Sequence, residues 1–275
     1  MSNDSTAKTL IVATLLCVVC SVVVSWSAVT LKPLQDINKE LDIKKNLLMT
    51  AGLVESTAQK EEIESAFKRI EVKLVDLATG EYVTDVKVDE YDAVKAAKDS
   101  KSNHEIAPKQ DLGGIKTRAK YSKVYFVKEA GEVQSVVFPI HGKGLWSTMY
   151  GFLVLQTDLN TVKGIGFYSH GETPGLGAEI TQKFFIDRWV GEKISADGVF
   201  VPFKIVKDGS GAEESKVDGI TGGTITSKGV EEMANRCLEV YVPYFNKLKT
   251  KYNLWAVEDA AQSVGAQHNN VPAGS

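Results

Sequence analysis

Residues Leu10 to Leu31, LIVATLLCVVCSVVVSWSAVTL, run for twenty-two positions without a charge, and this run limits what the chain can become. In hydrocarbon only a helix satisfies its own backbone polar groups within one segment. At about 1.5 Å per residue the run would reach roughly 33 Å, enough to cross a bilayer core. Trp26 stands near its far end, where an indole favours the interface, while Lys8 precedes the run and Lys32-Pro33 closes it. A cleaved signal peptide, with Ser25-x-Ser27 as the cleavage site, is the competing reading, but signal cores run only about 7–15 apolar residues. The lysine bias across the run is too small to set an orientation.

The rest of the chain is ordinary globular sequence. At 275 residues, with 43% hydrophobic and 24% charged residues, it supports one domain with a real core beyond the anchor. A net charge of −3 with scattered Lys and Arg gives no reason to expect a nucleic-acid partner. Cys17 and Cys20 lie inside the apolar run on one helical face; they read either as a metal half-site or as small residues at a helix contact, and the second explains them more simply. Cys237 stands alone and reads as a core residue. His104, His141, His170 and His268 lack metal-ligand spacing, and no nucleophile elbow or dinucleotide fingerprint is present. Neither a metal site nor a complete catalytic site is therefore expected.

Organisation follows from periodicity. Leu34, Ile37, Leu41 and Leu48 suggest that the membrane helix continues as an amphipathic stalk to Gly52, and Gln59 to Ile70 reads as a second helix. Val72–Val75 and Tyr82–Val83 read as strands around an Ala-Thr-Gly turn, and Asp85 to Gln110 as a charged surface insertion. Lys123–Val127, Val133–Ile140 and Met149–Gln156 form an expected antiparallel meander, with further strands at Thr161–Tyr168 and Phe203–Val206 and a helix at Glu179–Val190. The fold class is α+β: one N-terminal transmembrane helix, then a mixed domain whose antiparallel sheet is flanked by helices. The expected boundaries are a short tail at 1–9, the anchor at 10–31, a stalk and α/β insertion at 32–120, a ligand-binding domain at 121–254, and a disordered tail at 255–275.

The stretch Asp218-Gly219-Ile220-Thr221-Gly222-Gly223-Thr224-Ile225-Thr226-Ser227 carries the chemistry. Its glycines allow a tight turn and close backbone approach, and a helix-like run with Val230, Met233, Ala234 and Cys237 on one face follows. Thr226 or Ser227 is the expected N-cap, with Glu231 and Glu232 near the first turn. An anion held by Thr224 would meet free N–H groups and a partial positive charge. On motif shape alone, a turn with an ordinary cap is the commoner meaning, because the glycine-lysine pattern of a nucleotide-binding loop is absent.

The stretch resembles the signature of bacterial FMN-binding domains whose flavin is joined through its phosphate to a threonine. That resemblance implies FMN covalently attached to Thr224, the residue closing the Gly-Gly-Thr triplet, with Thr221, Gly222, Gly223 and Thr226 around it and Asp218 presenting the loop. Two more segments resemble the same family: His141-Gly142-Lys143-Gly144-Leu145-Trp146-Ser147 and Gly171-Glu172-Thr173-Pro174-Gly175-Leu176-Gly177. They place Leu145, Trp146, Glu172, Thr173, Leu176 and Gly177 near the flavin, although Trp146 and Leu176 could equally pack a core and Glu172 could cap a turn. Lys207 is a phosphate partner by position only. With the anchor and the spacing, the chain up to about Leu254 is similar to the C subunits of sodium-translocating NADH:quinone reductases. The resemblance implies an electron-relay protein in a bacterial inner membrane with its C-terminal domain periplasmic. Its implied partners are lipid, the other subunits of the complex, and a flavin transferase, since no base that would activate Thr224 is evident. The homologous FMN-bearing G subunit of the Rnf-type ion-translocating electron transport complex, and a membrane-tethered binding domain without redox work, are the alternatives.

Overall fold

The structure is a computed structural model that describes residues 5–108, 111, 114–196, 199–207, 215–252, 267–268 and 271–272. Most of the expected tail at 255–275 lies outside the described residues; within it Gln267–His268 pairs with Val271–Pro272. The chain divides into two units, 1–44 and 45–275.

Helix α1, Thr6–Thr50, contains the whole apolar run and passes Pro33 without a break. It is long and apolar enough to cross a membrane, and Leu10, Val19, Val24 and Trp26 are all exposed on it. The hydroxyls of Ser21 and Thr30 donate back to the carbonyls of Val18 and Trp26, so these two polar groups of the run are satisfied by their own helix. Lys32–Asp36 and Glu40–Lys44 form i,i+4 pairs beyond it. Leu34 and Ile37 of the expected stalk stripe remain exposed, whereas Leu47 and Leu48 are buried. The helix ends at Gly52, whose φ of 73° is left-handed, with Leu53 N–H donating to the Leu48 carbonyl at 2.8 Å and Gly52 N–H to that of Met49 at 3.0 Å. This is a Schellman stop.

The second unit is built on a five-stranded antiparallel sheet in the order β1-β4-β5-β6-β7, formed by Ile70–Asp76, Tyr121–Glu129, Glu132–Lys143, Thr148–Gln156 and Val162–Ser169. Helix α2, Lys60–Phe67, is shorter than expected, because Ile70 opens β1 rather than closing the helix. Tyr82 makes only a single bridge to Val75, where a strand was expected. Within the described part of the Asp85–Gln110 insertion, α3, Ala93–Lys98, is capped by Asp92, and β2, Asn103–Glu105, pairs with β3, Thr117–Ala119.

Helix α5, Thr224–Tyr252, covers one face of the sheet. Val230, Met233, Ala234, Cys237, Leu238, Tyr241 and Phe245 recur at helical spacing and share a buried cluster with Val136, Phe138 and Ile140 of β5 and with Ile165 and Phe167 of β7. The opposite face of β7 carries Gly164 and Gly166, where a Cβ would collide with Thr50. The last turns of α1 therefore lie directly on the sheet. The expected helix over 179–190 is broken at Gln182, whose ψ of 145° is extended, into a 3-10 turn at Gly177–Thr181, α4 at Lys183–Ile186 and a second turn at Asp187–Trp189. Phe185 and Trp189 are buried while Phe184 is exposed, so the hydrophobic pattern there records one i,i+4 pair and not a continuous face. The strands β8, Ser195–Ala196, and β9, Val199–Phe200, form a short ribbon, and β10, Lys204–Val206, pairs in parallel with β11, Lys216–Asp218.

A Cβ at Gly151 would collide with the Gly166 carbonyl of the adjacent strand. Gly151→Ala is expected to cost about 3 kcal/mol, seen as a lower urea midpoint with unchanged slope. An unchanged midpoint would show that β6 and β7 are not held this closely.

Candidate functional site

The turn between β5 and β6 is Gly144-Leu145-Trp146-Ser147, closed by the Gly144 N–H donating to the Ser147 carbonyl at 2.7 Å. The segment Gly171–Gly177 leaves the end of the neighbouring β7, and Asp218–Gly223 runs from β11 into α5. Antiparallel pairing of β5, β6 and β7 thus brings two of the three sequence segments to one sheet end, and α5 brings the third.

Glu172 joins them. It is 4% exposed, and its Oε1 accepts from the backbone N–H of Trp146 at 3.0 Å and of Ser147 at 3.3 Å. Its Oε2 accepts from the Leu145 N–H at 3.1 Å and from the Thr226 hydroxyl at 2.5 Å. Burial by itself would raise the carboxyl's pKa; the Thr226 hydroxyl and the three backbone donors outweigh it and hold the group below the usual carboxylate range. Both oxygens are committed to protein donors. Glu172 therefore fixes the β5–β6 turn to the start of α5. Gly144 and Gly177 admit this arrangement: a Cβ at Gly144 would lie 2.5 Å from Glu172 Oε1, and one at Gly177 would collide with the Thr226 hydroxyl. The Ser147 hydroxyl accepts from the Gly171 N–H at 2.6 Å, a second tie between two of the segments.

Helix α5 begins earlier than the expected cap at Thr226 or Ser227. Gly223 turns back to Ile220, its carbonyl accepts from the Ser227 N–H at 2.8 Å, and Thr224 becomes the first helical residue. The hydroxyls that looked like caps serve longer contacts instead. Ser227 accepts from the Ile220 N–H at 3.1 Å, and Thr226 reaches Glu172. Glu231 accepts from the Ile205 N–H at 2.6 Å, tying α5 to β10. Gly222, with φ of 80°, packs against Leu176, and Ile220 anchors the loop in the core. Arg188 Nη1 donates to the carbonyls of Asp218 and Gly219 at 3.0 and 2.8 Å, a brace that no local motif announces.

The three threonines differ sharply. Thr226 is 2% exposed, whereas Thr221 and Thr224 are exposed. Thr224 opens a helix with no acidic residue in its first turn, so its amide end is not offset by a carboxylate there. Exposed apolar side chains lie on the same three segments: Trp146 at 70%, with Leu145, Leu176 and Ile225. Sequence reasoning did not single out Ile225, whose neighbours in the motif are all small or hydroxylated. Thr173 is exposed, and its carbonyl accepts from Leu176 and Ala178 in the turn. Lys207 is exposed one residue past β10, beside the Asp218–Gly219 corner. Among the described residues no three His, Cys, Asp or Glu side chains gather as metal ligands.

The C subunit of the Na(+)-translocating NADH-quinone reductase from Haemophilus ducreyi is 46% identical over 231 residues, covering 84% of this chain and 88% of the relative. The chain belongs to that family of C subunits. The Yersinia pestis relative is 40% identical over 253 residues, 90% of this chain and 95% of its own. The FMN-binding domain family matches residues 144–239, which begins at the β5–β6 turn and takes in the Gly171 and Asp218 segments. Crystal structures of Shewanella oneidensis NqrC and of its Parabacteroides distasonis counterpart superpose with TM-scores of 0.70 and 0.63, at 34% and 32% identity. Each covers 78% of this chain, and 99% and 96% of the solved chains are matched. Membership of the NqrC family accounts for the pairing of an apolar N-terminal helix with an α+β domain carrying these three segments.

Proposed function

We propose that this chain is the membrane-anchored flavoprotein of a sodium-translocating NADH:quinone reductase, with FMN joined by a phosphoester to Thr224 and serving as an electron relay between partner subunits. The observation that carries the assignment is the exposed hydroxyl of Thr224 at the first position of α5, while the competing Thr226 is buried and donated to Glu172. The residues present fit the group. Gly222 and Gly223 let the backbone approach a phosphate, the first-turn amides favour its remaining negative charge, and Leu145, Trp146, Leu176 and Ile225 offer apolar surface for a flat ring. Lys207 is the candidate second phosphate partner. Bound FMN supplies the electron-carrying chemistry; the chain supplies tether, orientation and surroundings.

Among the described residues no carboxylate or imidazole hydrogen-bonds the Thr224 hydroxyl, which is a poor nucleophile without a base. A separate flavin transferase therefore supplies the base and makes the bond, with Asp218 in the braced corner presenting the loop. Helix α1 crosses the membrane at Leu10–Leu31, in contact with lipid, and leaves the second unit on the periplasmic side.

Spheroplast proteolysis tests the topology. Added protease is expected to digest the domain, and N-terminal sequencing to find the chain uncleaved at Ser27. Full protection would reverse the orientation. The isolated chain is expected to show flavin absorbance yet oxidise no NADH; NADH oxidation by it alone would contradict the relay role.

A further inference from the structure

Helix α3, the 114–119 segment, the turn end of β5 and β6, and α5 line a cleft of about 480 Å³, within the usual size range of small-molecule sites. Ala93, Val94 and Ala97 line one wall, and Tyr121, Tyr150 and Tyr168 add aromatic surface. The lining also holds two guanidinium groups, Arg118 and Arg236, and the ring of His141.

Arg236 is 3% exposed. Its Nη2 donates to the His141 carbonyl and to Cys237 Sγ at 3.0 Å, but its buried Nε has no hydrogen-bond partner among the described residues. Arg118 is half-buried and, among the described residues, donates only to the carbonyl of its neighbour Ala119, at 3.1 Å. Among the described residues, neither guanidinium has an ion-pair partner. Asp76 is the carboxylate whose charge reaches Arg118, and its Oδ1 is already held by the N–H groups of Ala78 and Thr79. Burial, and then the charge of Arg236, lower the pKa of Arg118. Burial and the same charge push His141 down to about 3, so its ring is neutral; Arg118 and Arg236, with Lys98, Lys116 and Lys143 also on the lining, make the cleft cationic. A buried cation without a counter-ion is costly, and a second cation whose charge reaches it adds to that cost. An anion would remove that cost.

We propose that this cleft is a second ligand site, distinct from Thr224, that takes a small amphiphilic anion: a carboxylate or phosphate group against Arg118 and Arg236, with an aromatic or aliphatic body along α3 and the tyrosines. Thr224, Leu145 and Leu176 are not part of its lining, whereas Trp146 and Ser147 stand on it. Arg236 lies twelve residues beyond Thr224, about 18 Å along the helix axis. The β5–β6 turn is thus common to both places, and a ligand here would press on the turn that Glu172 holds. A soluble anion and a phospholipid headgroup share this chemistry.

Calorimetric titration of the full chain in phosphatidylcholine nanodiscs tests the site, with phenyl phosphate, inorganic phosphate and phenol as probes. Phenyl phosphate is expected to saturate one site at least tenfold more tightly than either fragment. Arg118→Gln should weaken it tenfold or more, and Val94→Trp, which fills the cleft from a partly exposed wall, should block it; Thr224→Ala should leave it unchanged. Phosphatidylglycerol in the nanodiscs would compete if the natural anion is a headgroup and would not if it is soluble. Phenyl phosphate binding no better than phenol, or insensitive to both cleft substitutions, would overturn the proposal. So would binding seen only when Thr224 carries no flavin, because the cleft would then belong to that cofactor. If Thr224 proves unmodified altogether, the flavin assignment fails while the cleft is still judged by its own substitutions.

Discussion

Replacing Thr224 with alanine is expected to remove the proposed covalent flavin completely, leaving an unmodified peptide across Val217–Lys228 where the native chain should show one FMN-sized adduct. The three threonines of that loop carry the same hydroxyl chemistry, but the fold separates them. Thr226 is sealed under Glu172 and donates its proton inward, so a transferase would have to pull apart the most heavily bonded point of the site to reach it. Thr221 is exposed but sits before the left-handed Gly222, away from the helix amides. Only Thr224 is both exposed and first in the helix, where a phosphodiester's charge is stabilised. Thr221→Ala should therefore keep the adduct. Fragmentation mass spectrometry that finds the adduct in Thr224→Ala would overturn the assignment.

Glu172→Ala should be the most destabilising single change in the site. It strands the N–H groups of Leu145, Trp146 and Ser147 and the Thr226 hydroxyl, all previously paired to one buried carboxylate. Leaving such donors unpaired is expected to cost about 4 kcal/mol, roughly 10 °C in melting temperature for a unit of this size. Because the folded carboxyl titrates below its ordinary value of 4.5, its stabilising contribution is full above that pH and is lost as pH falls through the lower folded value. Glu172→Gln keeps an acceptor and should recover part of the loss, and its melting temperature should lack this acid-dependent increment. Equal melting temperatures for Glu172→Ala and the native chain would mean that the four bonds do not hold the loops.

The meander was legible because β4 alternates over most of its length, β5 and β6 carry short apolar runs, and Ala130-Gly131 and the Gly144 turn punctuate them. The α5 stripe was legible because Val230, Met233, Ala234 and Cys237 recur at helical spacing over a long run. The Asp218–Ser227 segment could be singled out by its clustered glycines and hydroxyls, and the His141–Ser147 and Gly171–Gly177 segments by their resemblance to FMN-binding domains. What joins them could not be. Glu172 and Thr226 are 54 positions apart and Arg188 and Asp218 30 apart, and neither pairing leaves a periodic trace. The start of α5 was misplaced for the same reason: Thr226 and Ser227 have cap-forming side chains, but long-range partners claim them. The break at Gln182 was hidden because Phe185 and Trp189 mimic a helical face across two short turns. Arg236 and Arg118 looked like scattered surface charge until the fold buried one and half-buried the other beside it.

If flavin on Thr224 relays electrons within a larger membrane complex, one variant should separate the complex's two half-reactions. Membranes containing the complex with Thr224→Ala should oxidise NADH with an artificial acceptor at the native rate while quinone reduction stops. Quinone reduction at the native rate by that variant would contradict the account and leave the chain a structural role only.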